Sequence, residues 1–233
     1  MNERELSNTL DEIIQVYLKL NDIGWTKGFD FDKILEKFKA QSQEIFNYLI
    51  NNPTIQHYEV MVGVFYNRGF GIDKNYDKAF EWYMKASQQN DINGHYEVGG
   101  CYYYGYGVEK NYEKAFEFYQ LAVDDGLNIA LYFLTTCYEF NYNTSMSSYL
   151  KAFELYKKSA KNGFVPSQYF LAECYEHGMG TQENERKSLK WHKLYQENGG
   201  NIDVSDKINV LENKLVNMLC YVYILGVNCN DQY

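Results

Sequence analysis

The sequence predicts an all-α fold, built as an array of helix-turn-helix repeats with helical segments at both ends. Three observations support this prediction. Similar segments recur along the chain at intervals of 36 to 37 residues, each segment contains two helical patterns, and the 233 residues include only 2 Pro. Proline removes a backbone donor and clashes with the preceding turn, so its scarcity fits long helices.

The composition favours a folded protein that binds neither nucleic acid nor membrane. Aromatic residues make up 18% of the chain, including 24 Tyr, whereas disordered segments contain few aromatic residues. The formal net charge is −9, which disfavours nucleic-acid and anionic-membrane binding because both depend on Lys and Arg. Neither a signal-peptide pattern nor an apolar stretch long enough for a membrane span is visible. We therefore expect a cytoplasmic protein, with a nuclear location as the alternative.

Residues 1–56 are predicted to form an N-terminal helical cap. Apolar residues at helical spacing make a first stripe, which is followed by Gly24. This stripe consists of Leu6, Leu10, Ile13, Ile14, Tyr17 and Leu18. Two further amphipathic turns precede Pro53.

Four repeats are predicted within residues 57–200. Their bounds are 57–92, 93–128, 129–165 and 166–200. Gly69-Phe-Gly71 recurs as Gly105-Tyr-Gly107, and the segment from Asn75 to Tyr83 recurs from Asn111 to Tyr119. Consecutive copies in phase indicate one structural unit that is stacked four times.

Each repeat contains two helical patterns. The first has a large residue, a small residue and a Tyr, as in Val62, Gly63 and Tyr66, and a small residue allows a neighbouring helix to approach closely. The second has an i, i+4, i+7 stripe that includes Ala79 and Tyr83. We expect these recurring tyrosines to pack between helices.

The turn between the two helices carries the Gly-x-Gly motif. Glycine adopts a positive φ without steric cost and therefore turns the chain sharply. Copy three has Asn141 and Asn143 instead, and Asn tolerates the left-handed region well, so we expect the same turn there. Copy four departs in its second helix, where Ser188 and His192 replace the usual Ala and Tyr, as expected of a terminal repeat. Residues 201–233 are predicted to form a capping helix and a tail.

This pattern resembles the Sel1-like repeat, a relative of the tetratricopeptide repeat. Copy two carries the resemblance through Val98, Gly99, Tyr102, Gly105, Gly107, Val108, Lys114, Ala115, Tyr119, Ala122 and Gly126. The resemblance implies a right-handed α/α solenoid that acts as an adaptor between other proteins. The segment 46–52 is similar to a lead-in found before such repeats in some fungal proteins. In those proteins the array often follows a protein-kinase-like domain, which suggests a signalling role.

The sequence predicts no catalytic residue, no cofactor and no metal site. The Gly-x-Gly turns lack the third glycine and the Lys-Ser/Thr pair of nucleotide-binding loops. The four His form no metal-binding motif. Cys101, Cys137 and Cys174 share one repeat position that is Phe65 in copy one, so we expect buried, reduced cysteines.

In related helical repeats the first helix of each pair lines the concave face, and the same assignment predicts a partner-binding groove here. Its candidate residues are Asn67, Arg68, Tyr96, Tyr103, Tyr104, Tyr132, Glu139, Phe140, Tyr169, Glu173, Glu176 and His177. The groove would be aromatic in the middle and acidic toward the C-terminal repeats, which favours a partner with a basic segment.

Two other functions remain open at this point. An enzyme could have a site between repeats, although no set of candidate catalytic residues supports it. A homo-oligomeric structural protein could associate through the apolar C-terminal helix. The sequence alone leaves the oligomeric state undecided.

Overall fold

The computed structural model describes residues 1–24, 30–141 and 146–224, and it confirms the all-α prediction. Within these ranges, the side chains at 138–141, 146–148 and 219–224 are not described. The described residues form twelve α-helices, with a short 3₁₀ helix at Lys39–Gln41. The helices are α1 Glu3–Ile23, α2 Phe31–Lys37, α3 Ser42–Asn51, α4 Tyr58–Arg68, α5 Tyr76–Gln88, α6 Ile92–Tyr104, α7 Tyr112–Asp124, α8 Asn128–Asn141, α9 Met146–Lys161, α10 Val165–His177, α11 Glu185–Glu197 and α12 Ser205–Ile224.

Each of the four repeats consists of one helix pair. The pairs are α4 with α5, α6 with α7, α8 with α9, and α10 with α11. Neighbouring pairs also pack on each other, so the eight helices form a continuous stack, an α/α solenoid. We call α4, α6, α8 and α10 the first helices, and we call the surface that they share the inner face.

In the first two repeats, a tyrosine from the second helix lies directly on the small residue of the first helix. Tyr83 and Tyr119 are fully buried. A Cβ atom added to Gly63 would lie 2.5 Å from the Tyr83 ring, and one added to Gly99 would lie 2.7 Å from the Tyr119 ring. The predicted role of the small residue, to allow close approach of a neighbouring helix, is therefore confirmed.

The Gly-x-Gly turns connect the helices of a pair and also contact the preceding unit. Gly105 and Gly107 both have a positive φ, of 78° and 67°. A Cβ on Gly107 would lie 2.1 Å from the carbonyl oxygen of Tyr76, which begins α5. Gly71 makes the same close approach to Ser42, so α3 takes the place of a second helix before the first repeat. The corresponding turn of copy three, with Asn143, lies outside the described residues.

Each turn leads into a capped second helix. The side chain of a recurring Asn accepts a hydrogen bond from the backbone N–H three residues later, at 2.9 Å in every case. These pairs are Asn75 with Lys78, Asn111 with Lys114, and Asn184 with Lys187. The recurrence of Asn in the sequence is thus explained by helix capping.

The N-terminal helix α1 is not confined to the N-terminal end of the repeat array. Its predicted stripe is buried, with Leu10, Ile13 and Ile14 all at most 5% exposed. A helix of 21 residues is ~30 Å long, and α1 packs against α2, α3 and α8. Gly24 at its end lies against Pro166 and Phe164 at the start of α10. The segment predicted as a cap therefore also runs across the first helices.

The C-terminal helix α12 packs on the last repeat. Val204 and Ile208 share a buried cluster with Val165 and Tyr195. Ion pairs such as Lys193 with Glu212, at 2.7 Å, surround this contact. The helix predicted within residues 201–233 therefore corresponds to α12, which packs against α11.

The three repeat cysteines are buried and not disulfide-bonded, as predicted. Burial raises the pKa of Cys137 to about 12 and that of Cys101 further, so both remain thiols at neutral pH. Cys220 and Cys229 lie outside the described side chains.

Substitution of two adjacent glycines in α6 tests the packing of the second-helix tyrosine. We expect Gly99→Ala to destabilise the protein by about 1–3 kcal/mol because its Cβ overlaps the Tyr119 ring. A Cβ on Gly100 would meet only the Tyr119 hydroxyl, at 3.7 Å. Gly100→Ala should therefore stabilise the helix by about 0.5–1 kcal/mol. Urea denaturation measures both values, and equal effects of the two substitutions would contradict this account.

Candidate partner-binding surface

The predicted tyrosine row on the first helices mainly packs neighbouring repeats together. The Tyr96 ring lies 5.9 Å from Tyr119 and 5.6 Å from Phe133, centre to centre. Tyr132 and Tyr169 occupy the same repeat position and are likewise partly buried against neighbouring rings. These three tyrosines are therefore mainly packing residues, and only part of each side chain is accessible to a partner.

Part of the inner face is covered by α1. The Tyr17 hydroxyl donates a hydrogen bond of 2.8 Å to Glu97 Oε1 on α6. One turn further along α1, Asn21 Nδ2 donates to Asn93 Oδ1 at 2.9 Å. Both contacts are shielded from solvent, and they fix α1 against the first helix of copy two.

Glu97 is a charged residue at a position that is apolar in the neighbouring repeats. Its equivalents, Met61 and Phe133, are buried hydrophobic residues. Burial raises the pKa of the Glu97 carboxyl, whereas the Tyr17 hydroxyl and the nearby Arg68 guanidinium oppose this rise. The carboxylate is therefore held in place chiefly by polar groups from α1 and α4.

An exposed aromatic strip remains beside the Gly-x-Gly turn of copy two. Tyr104 is 48% exposed and Tyr106 is 38% exposed. Their rings stack 5.3 Å apart, while Tyr106 stacks on Tyr76 at 4.6 Å and Tyr104 meets Tyr103 edge to face at 4.8 Å. We call these four residues the tyrosine strip.

The sequence interpretation included two members of the tyrosine strip and missed the other two. Tyr103 and Tyr104 were placed on the inner face by their position on the first helix. Tyr106 lies in the turn, and its equivalent in copy one, Phe70, is buried. Tyr76 belongs to the preceding repeat, so only the contact between repeats brings it to this surface. The sequence feature that could have indicated Tyr106 is its place as the aromatic residue inside the Gly-x-Gly motif.

Polar candidates border the tyrosine strip on the side of copy one. Arg68 is exposed and forms an ion pair of 2.9 Å with Asp32 of α2. Asn67 is partly buried, and its side chain donates to the Tyr83 hydroxyl at 3.4 Å. The side chains of Glu139 and Phe140, which were predicted to continue this surface into copy three, lie outside the described side chains.

The predicted acidic end of the groove is partly neutralised by α12. Lys207 Nζ lies 2.5 Å from Glu173 Oε1 and 3.7 Å from Glu176 Oε2. His192 of α11 is fully buried and faces both carboxylates. His177 is exposed, with its Nε2 atom 3.9 Å from Glu173. The acidic residues are therefore engaged within the chain, which the sequence pattern did not reveal.

A family model describes most of the repeat array. The Sel1 repeat model matches residues 58–91, 92–127, 145–164 and 165–194, which together exceed half of the chain. The chain belongs to the Sel1 repeat family. Sel1 repeats generally act as non-catalytic modules for protein–protein interaction. No curated protein is significantly similar to this chain in sequence.

Solved structures of Sel1-like proteins share the fold. A Sel1 repeat protein from Oxalobacter formigenes is 25% identical, with a TM-score of 0.61, over 84% of this chain and 76% of the other. The protective antigen c5321 of uropathogenic Escherichia coli, which displays an SLR fold, is 23% identical with a TM-score of 0.63. That match covers 79% of this chain and 42% of the antigen.

The described residues of this Sel1 array include a Ser-His-Asp arrangement that the sequence analysis did not predict. The Ser87 hydroxyl lies 2.8 Å from His95 Nδ1, and His95 Nε2 lies 3.8 Å from Asp125. Ser87 and His95 are both buried in the packing between α5 and α6. A nucleophilic serine must be accessible to its substrate, so this group is better explained as a hydrogen-bonded contact between repeats.

Among the described residues, no helix of this Sel1 protein combines the length and the apolar content needed to cross a membrane.

The raised pKa of Glu97 predicts a pH-dependent effect of Glu97→Gln. Because the folded-state pKa lies above the unfolded value, Glu97 lowers stability progressively as the pH rises through the folded pKa. Gln cannot ionise, yet its carbonyl oxygen can still accept from Tyr17. The free energy of unfolding of Glu97→Gln, relative to wild type, should therefore increase between about pH 4 and pH 7. Urea denaturation at both pH values measures this, with the exposed Glu117→Gln as control, and a decrease would contradict the assignment.

Proposed function

We propose that this Sel1 repeat protein is a scaffold that binds a segment of a protein partner on its inner face. The tyrosine strip is the observation that carries the proposal. Tyrosine offers a large contact area with a polar tip and loses little conformational entropy on binding. Two of the four rings are more than a third exposed, which is unusual for a stacked aromatic cluster in a protein with a buried core elsewhere.

The area available to a partner is narrower than the sequence pattern suggests. Helix α1 covers the inner face around Glu97 and Asn93. The uncovered part follows the C-terminal ends of α4 and α6, where Arg68 and Tyr104 are exposed. A segment that lies along these ends would contact the tyrosine strip and Arg68 together.

A basic segment on the partner would need to compete with an internal cation. Glu173 and Glu176 already contact Lys207, so a partner ammonium or guanidinium would displace it. A role in signalling, which the resemblance of residues 46–52 to fungal lead-in segments suggests, would follow if the partner belongs to a signalling complex.

Affinity capture with matched variants tests the proposed surface. We expect Arg68→Ala/Tyr104→Ala to weaken binding of the captured partner by at least about tenfold, because two exposed contacts are removed at the centre of the surface. Leu121→Ala is the control, since Leu121 is 46% exposed on α7 and does not belong to the tyrosine strip. The captured partner is then purified, and its dissociation constant is measured for each variant.

Equal binding by wild type, control and double variant would overturn the proposed surface. We expect the substitutions to leave folding intact: both partners of the Arg68 ion pair are exposed, and exposed pairs contribute little to stability. Circular dichroism of each variant verifies this.

Self-association is a second candidate function, favoured by exposed apolar side chains on α12. Val210, Val216 and Met218 are each more than half exposed, and exposed apolar surface can mark an interface. We expect wild type to sediment as a dimer under this alternative, and Val216→Asp/Met218→Asp to sediment as a monomer. A monomeric wild-type protein in sedimentation equilibrium would exclude it.

A further inference from the structure

Three potential metal ligands converge where the fourth repeat meets α12. Glu173 and Glu176 lie one turn apart on α10, and His192 projects from α11. Their nearest ligand atoms lie within 4.8 Å of one another. His192 Nε2 is 3.5 Å from Glu173 Oε1 and 3.4 Å from Glu176 Oε2.

The imidazole of His192 is fully buried but poorly satisfied by its neighbours. Its Nε2 atom makes only long contacts with the carboxylates, a 3.5 Å contact with Glu173 and a weak hydrogen bond of 3.4 Å with Glu176. Its other ring nitrogen, Nδ1, is buried without a hydrogen-bond partner. Histidine binds metals through a ring nitrogen, and Nε2 of His192 is the nitrogen that faces the two carboxylates.

The cluster also has more negative charge than its own cation balances. Two carboxylates face one ammonium, that of Lys207. Both glutamates are partly buried, at 17% and 24% side-chain exposure. A divalent ion would balance the two carboxylates in full, and partly buried charges favour such compensation.

Two of the three distances between the ligand atoms suit a tetrahedral metal site. With bonds of about 2.0–2.1 Å to nitrogen and oxygen, the edges of a tetrahedron are about 3.3–3.4 Å long. The two distances from His192 Nε2 to the glutamates have nearly this length. We propose that Glu173, Glu176 and His192 form a binding site for a divalent transition-metal ion of the Zn²⁺ class, and that Lys207 competes with the metal for it.

The ligand set favours zinc and related ions over calcium or magnesium. Ca²⁺ takes six to eight oxygen ligands and Mg²⁺ takes octahedral oxygen ligands, whereas an imidazole with two carboxylates suits Zn²⁺. Water would complete the fourth position. Lys207 extends from α12, and its contacts with Glu173 and Glu176 help to attach this helix to the fourth repeat. Metal binding would replace these contacts.

The site is specific to the fourth repeat. The equivalents of Glu176 and His192 in copy one are Asn67 and Tyr83, which make a hydrogen bond of 3.4 Å. Copy four therefore keeps the geometry of this pair while both residues change to metal-ligating types. His192 replaces the repeat tyrosine. The proposed metal binding gives a reason for this replacement, in addition to the terminal position of copy four in the array.

Titration of the full chain with Co²⁺ tests the proposed site directly. Tetrahedral Co²⁺ absorbs visible light much more strongly than hydrated Co²⁺, and Zn²⁺ should abolish this absorption by displacement. Cysteine ligands would add a thiolate charge-transfer band in the near ultraviolet. We expect visible absorption without that band, which distinguishes this site from metal bound at cysteine.

Four variants assign the ligands. We expect His192→Asn and Glu176→Gln to weaken Co²⁺ binding by at least about tenfold, and Lys207→Met to strengthen it by about tenfold because no ammonium competes. His177→Asn is the matched control, since this exposed histidine also lies near Glu173 but is not a proposed ligand. It should bind Co²⁺ as wild type does.

Two outcomes would overturn the proposal. The first is the absence of tetrahedral absorption in both wild type and Lys207→Met, and the second is unchanged binding by Glu176→Gln. Circular dichroism shows whether each variant folds, and the partly exposed Glu176 keeps the test valid if His192→Asn does not fold. The probe is the metal alone, so the result is independent of the proposed partner surface.

Discussion

In the first two repeats, the structure depends on the contact between the tyrosine of the second helix and the glycine of the first. Because Gly63 and Gly99 have no side chain, the rings of Tyr83 and Tyr119 lie directly on the backbone of α4 and α6. This close approach sets the distance between helices and thereby the stacking of one repeat on the next. It also carries a hydroxyl to the inner face, where Tyr83 meets Asn67. The packing that builds the array therefore also defines part of its surface.

Helix α1 determines how much of the inner face remains open. Full burial of an aliphatic side chain contributes about 1.5–3 kcal/mol, and Leu10, Ile13 and Ile14 are all buried, so α1 is an integral part of the core. On the inner face, Tyr17 and Asn21 of α1 cover Glu97 and Asn93. A partner can then use only the ends of the first helices, which is where the tyrosine strip lies.

Local patterns predicted the fold, whereas contacts between distant segments could not be predicted. The period of 36–37 residues, the small residue before Tyr66 and the Gly-x-Gly turns are each encoded within one repeat. An apolar stripe shows that α1 has a buried face but not which surface it covers. The hydrogen bond from Tyr17 to Glu97 joins residues 80 apart, and that from Lys207 to Glu173 joins residues 34 apart. The first contact covers part of the predicted groove, and the second neutralises part of its acidic end.

Charged groups on the inner face depend on a partner from another segment. In internal copy two, Glu97 is compensated by Tyr17 of α1 and by the nearby Arg68. After α11 only α12 follows, and its Lys207 can reach the inner face. Glu173, Glu176 and His192 are therefore tolerated in copy four because a cation is available there. Whether that cation is an ammonium or a metal ion then depends on concentration and pH, since both compete for the same carboxylates.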